Sequence, residues 1–79
     1  PNPFNPSTSI SIYSDAYKNI KLQVYDTKGS LVENLYNGYV EEGSHSFNWN
    51  PDKKISSGIY FVKLSNNNSI ITKKINYIK

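Results

Sequence analysis

Cysteine, methionine and arginine are all absent from the 79 residues. Without cysteine, neither a disulfide framework nor a thiolate metal site can brace so short a chain, and packing alone must hold it. That absence suits the cytosol and an exported domain equally, so it leaves the compartment open. Without arginine, the side chain that grips guanine edges and phosphates in a bidentate way is missing, and the net charge of +3 comes entirely from lysine. No nucleic-acid partner is expected. The lysines read as a solvated face, in a chain rich in residues with A- and T-rich codons.

Long apolar runs are missing too. Nothing approaches the roughly 18 residues that span a bilayer, and no basic-then-apolar leader opens the chain. Membrane insertion is therefore not expected, and the start at Pro1-Asn2-Pro3 reads as that of a fragment of a longer protein. At 79 residues one domain is the expectation, spanning 1–79. Such a domain has a net stability of a few kcal/mol, on the order of the low end for globular proteins.

Helical spacing is also lacking, and in its place short period-2 runs recur between turn signals. Ile10 and Ile12 alternate with serines; Ile20, Leu22 and Val24 alternate with Lys21, Gln23 and Tyr25. Asp26-Thr27-Lys28-Gly29 forms a turn before an extended Leu31 to Tyr36. Asn37-Gly38 predicts a second turn, followed by a short edge segment around Tyr39 and Val40 that Glu41-Glu42-Gly43 ends. His45, Phe47 and Trp49 share one face of the next strand, which Pro51 closes. Gly58 opens a central strand with Tyr60, Val62 and Leu64 on one face. Asn66-Asn67-Asn68 turns into a last strand, Ser69 to Tyr77, carrying Ile71, Ile75 and Tyr77 on one side. Six or seven such strands predict an all-β, immunoglobulin-like antiparallel sandwich. Its expected core is Ile10, Ile12, Leu22, Val24, Phe47, Trp49, Tyr60, Val62 and Leu64.

Reactive groups are sparse. The lone His45, in register with Phe47 and Trp49, reads as a packed or rim residue; without cysteine, a second histidine or a Gly-x-Ser-x-Gly elbow, it assembles no triad and no zinc site. The six carboxylates, Asp15, Asp26, Glu33, Glu41, Glu42 and Asp52, fall mostly in turns. A glycosidase pair would need a concave site that a sandwich of this size hardly offers, and no alternating Asp/Asn loop suggests calcium. Neither catalytic residues nor a cofactor or metal is expected. Tyr13, Tyr17, Tyr25, Tyr36 and Tyr39 could instead form a sugar-stacking platform, although tyrosine also suits half-buried strand surfaces. A carbohydrate-binding or structural spacer module of a multidomain extracellular enzyme is thus the alternative reading.

One segment is too unusual for a generic turn. Pro1-Asn2-Pro3-Phe4-Asn5-Pro6-Ser7-Thr8 fixes φ at three prolines ahead of the first strand. With Ile10-Ser11-Ile12, it resembles the first motif of the C-terminal sorting domains, type A, of the type IX (Por) secretion system. Val24 to Gly29, Gly43 to Trp49, Ser57 to Leu64 and Thr72-Lys73-Lys74-Ile75 are similar to the later motifs, so the resemblance spans the chain. Related immunoglobulin-like modules, including one in the flagellar hook-capping protein, share the Trp49 and Gly58-Ile59-Tyr60 patterns but fit the proline-rich opening less well. Asn50-Pro51 departs from the family, where an acidic residue and glycine are more usual.

The resemblance implies a folded signal behind an N-terminal cargo domain of the same chain, in a Gram-negative bacterium. The cargo reaches the periplasm by its own leader, crosses the outer membrane through the type IX translocon, and ends secreted or on the cell surface. A sortase-type peptidase is a further implied partner. The residues carried over as a recognition motif are Pro1, Asn2, Pro3, Phe4, Asn5, Pro6, Gly58, Tyr60, Lys73, Lys74 and Ile75. The last strand is the segment expected to be read.

Overall fold

A computed structural model describes residues 8–79, and the motif residues Pro1, Asn2, Pro3, Phe4, Asn5 and Pro6 lie outside that range. Six strands follow one another without a helix among the described residues: β1 (Thr8–Ser14), β2 (Lys18–Tyr25), β3 (Leu31–Val40), β4 (Gly43–Trp49), β5 (Gly58–Ser65) and β6 (Ile70–Tyr77). They form two antiparallel sheets, one ordered β3-β2-β5-β6 and the other the pair β1-β4. This is the all-β sandwich that the alternation predicts.

Turn chemistry sets the reversals. Asp26 Oδ1 accepts hydrogen bonds from the amides of Lys28 and Ser30, each at 2.9 Å, while Gly29 takes a φ of 86° that a Cβ would resist. Asn66 Oδ1 does the same for the amides of Asn68 and Ser69, at 2.8 and 3.1 Å, closing the β5–β6 hairpin. In the loop where Asn50-Pro51 departs from the family pattern, Asp52 Oδ1 accepts from the Lys54 amide at 3.0 Å, and Ile55 packs back onto the core.

The Asn37-Gly38 turn does not form. β3 runs straight through it, Asn37 opposite Lys21 and Gly38 opposite Ile20, and Gly38 keeps a negative φ. The physical reason lies in the ladder: pairing to β2 continues through both positions, and the Tyr36 ring covers Gly38 with its hydroxyl 3.4 Å from where a Cβ would sit. Tyr39 and Val40 are accordingly the end of a ten-residue strand rather than a separate edge segment. β3 also carries two register shifts opposite β2, one at Leu22/Gln23 and one at Val24/Tyr25. Leu35 and Val32 are the extra residues, and each shift turns the side-chain parity over.

Packing centres on Trp49. Its side chain, fully buried, comes from the two-stranded sheet and meets Tyr60 of β5 and Tyr77 of β6 at ring centroid distances of 5.2 and 5.1 Å. The indole Nε1 donates to Glu33 Oε1 at 3.1 Å, which settles its polar end. Burying a ring of this size contributes on the order of 5 kcal/mol before entropy is counted, comparable to the whole net stability of a small domain. Leu22, Val24, Tyr60 and Val62 complete the buried centre with Tyr77, and Ile10, Ile12, Phe47 and Leu64 are partly buried against it. Ile20 and Val40 are buried as well.

Candidate functional site

The two sheets cover each other unequally, since two strands cannot roof four. On the β1 side, the inner face of β6 is left without a cover. Ile71, Lys73, Ile75 and Tyr77 share that face by strand parity, yet exposure falls along it from 61% at Ile71 to 2% at Tyr77, because Tyr77 alone reaches under Trp49. Ile71, Ile75 and Tyr77 thus share one side, as their spacing predicts, but only Tyr77 is interior, with Ile75 between.

A cleft of about 190 Å³ opens where β1 and β6 face each other. Ile10 and Ile12 form one wall, Ile71, Lys73 and Ile75 the other, and Leu22, Val62 and Leu64 the floor. The space is comparable with the ~150 Å³ known to house one benzene ring, so it accommodates one or two aliphatic side chains and no substrate enclosed from water. Beyond β6 no described strand pairs, leaving that edge of the ladder open.

The carried-over motif divides in two. Tyr60 is buried and its hydroxyl donates to Ser56 O at 2.7 Å, and Gly58, with a φ of 154°, begins β5 opposite Tyr77. Lys73 and Lys74 are exposed on β6, neither with an ion-pair partner among the described residues, and point to opposite faces of the sheet. Ile75 lies between these groups, half-buried in the cleft wall. Tyr60, Gly58 and Ile75 therefore act on the fold, while the lysines meet solvent.

Among the described residues, no three of His, Asp and Glu converge as a metal site would need. His45 Nε2 lies 2.6 Å from Glu41 O, tying β4 to the preceding turn. The single ion pair among the described residues, Lys18 Nζ to Asp15 Oδ1 at 2.6 Å, is exposed; the hydrogen bond from Lys18, and then its charge, hold the Asp15 carboxyl below its ordinary range. The five tyrosines do not make a flat platform. Tyr17 and Tyr39 stack on each other at 4.9 Å, the Tyr25 face lies under Lys63 Nζ, and Tyr36, turned over by the Leu35 bulge, tilts against Phe47. Only Tyr13, Tyr17 and Tyr39 are well exposed; Tyr25 and Tyr36 are half-buried.

Sequence comparison supplies the remaining observation. A family described as a secretion system C-terminal sorting domain matches residues 1–78. No curated protein and no solved structure matches the chain significantly.

Proposed function

Because the chain belongs to the secretion system C-terminal sorting domain family and is a sorting signal for type IX secretion, we propose that residues 1–79 act as a single folded label whose last strand, β6, is what the translocon reads. The family is not a catalytic one, it works with the type IX machinery, and it rides behind an N-terminal cargo destined for the cell surface or the extracellular space. The alternative reading as a carbohydrate-binding module or spacer is not favoured.

The observation that carries this reading is the open edge of β6 beside an uncovered apolar face. Exposed main-chain donors and acceptors next to aliphatic side chains are what an added strand uses for affinity and selectivity. Lys73 and Lys74 supply the accessible side chains of the motif; Pro1, Asn2, Pro3, Phe4, Asn5 and Pro6 complete it ahead of β1. The scheme runs through the periplasm, where the domain folds behind its cargo, to the translocon and then to a sortase-type peptidase that separates it from that cargo.

Fusion of residues 1–79 to a periplasmic reporter, in a host with this pathway, tests the proposal. Reporter in the medium or on the surface is expected for the fusion, and none for reporter alone. A reporter that stays periplasmic in both would overturn it. Deletion of Ile75 to Lys79 is a poor test, because it removes Tyr77 from beneath Trp49 and abolishes the fold along with the signal. Removal of Ile78 and Lys79 alone leaves Tyr77 and the whole of β6 in place and should leave export undiminished.

A further inference from the structure

Charge is divided along the chain in a way its modest total conceals. Residues 53–79 hold six lysines and no carboxylate, a net +6, whereas residues 1–52 hold three lysines and six carboxylates, a net −3, together giving the formal +3. The fold turns this into a gradient across the larger sheet. Lys63 on β5 and Lys73 and Lys74 on β6 lie at one side, and Glu33 on β3, with Glu41 and Glu42 just after it, lie at the other. Three strand spacings separate the two edges, about 14 Å, which exceeds the ~8 Å over which physiological salt screens exposed charges. The acids of β3 therefore do not neutralise the lysines of β6.

We infer that the cleft between β1 and β6 is the docking groove for an acidic, extended segment of a partner protein, which adds to the β6 edge, places alternate aliphatic side chains against Ile10, Ile12, Ile71 and Ile75, and sets carboxylates against Lys74 on the opposite face of the sheet and against the end of Lys73 at the cleft rim. This rests on the sorting reading and specifies the chemistry of what reads β6. Two other occupants fit less well. A second copy pairing edge to edge would bring Lys73 and Lys74 against their own counterparts, and like charges directly opposed across a ladder destabilise it. Residues 1–7 carry no charge, and Pro1, Pro3 and Pro6 remove three of the donors that a strand in the groove would contribute. Lys73 serves both ends: an inward-facing lysine on an edge strand discourages indiscriminate pairing and favours a partner that brings its own carboxylate.

The probes are two synthetic decapeptides, one of alternating valine and glutamate, the other of alternating valine and lysine, titrated into the isotope-labelled 79-residue chain. The acidic peptide is expected to shift amide resonances of β1 and β6, to weaken as salt rises, and to bind the variant K73E/K74E at least tenfold less tightly; the lysine peptide is expected to prefer that variant. Equal binding of both peptides, no binding of the acidic one at millimolar concentration, shifts centred elsewhere, or full competition by inorganic phosphate would each overturn the inference. Cargo export then separates it from the reading beneath it. Export of the parent fusion with undiminished export of a folded K73E/K74E fusion defeats the acidic groove and leaves the sorting role standing, whereas no export of the parent defeats the sorting role itself.

Discussion

Single side chains carry an uneven share of this molecule. Trp49, Tyr60 and Tyr77 form one aromatic cluster that joins both sheets, with Tyr60 and Tyr77 also meeting edge to face at 6.3 Å. Trp49→Ala and Tyr77→Ala each remove about 3–5 kcal/mol, enough to unfold a domain whose total is only a few, and loss of the denaturant transition is the expected readout. Tyr60→Phe keeps the ring and loses the bond to Ser56 O, so its unfolding midpoint should fall by the equivalent of about 1 kcal/mol. The exposed Asp15–Lys18 pair matters far less. With its carboxyl held below the ordinary value of 3.8, Asp15 favours the folded state above that pH and ceases to do so as pH falls through its own lowered value. Parent and Asp15→Asn should therefore differ slightly at neutral pH, and their stability curves should converge in strong acid.

Among the strands, legibility in the sequence followed regularity of the ladder. β2 and β5 alternate without interruption on their inner faces, and Leu22, Val24, Tyr60 and Val62 stand out from composition alone. β3 does not, because the extra residues Leu35 and Val32 break the period of two, and Asn37-Gly38 carries the composition of a turn inside a strand. That contrast yields a paired test. Gly29→Ala forces a Cβ into positive φ and should destabilise by about 1 kcal/mol, whereas Gly38→Ala meets the Tyr36 ring at ordinary contact distances of 3.4 to 3.6 Å and should be neutral or slightly stabilising. A comparable loss in both by thermal denaturation would restore the turn at Gly38. The groove was invisible for a different reason. Its walls are Ile10 and Ile12 of β1 and Ile71, Lys73 and Ile75 of β6, strands nearly sixty residues apart that do not pair, and no local pattern announces such a meeting. Lys63, Lys73 and Lys74 look scattered until the sheet order sets their strands side by side.

At the scale of the whole molecule, two of the four strand pairings join strands distant in sequence. β1 pairs with β4 and β2 with β5, so the domain closes through long-range contacts and should fold in milliseconds to seconds rather than microseconds. Trp49→Phe, which preserves the cross-sheet contact with less area, should leave a folded but weaker label, and cargo export should track its folded fraction. The placement of Tyr77 beneath the indole has a consequence for synthesis. The ribosome makes this residue after every other part of the aromatic cluster, so translation that stalls anywhere earlier yields a tag with a vacant socket beside Trp49. Synthesis of the domain through Tyr77 and foldedness of the label are thereby one condition, and a passenger whose own reading frame was cut short carries no valid ticket for export.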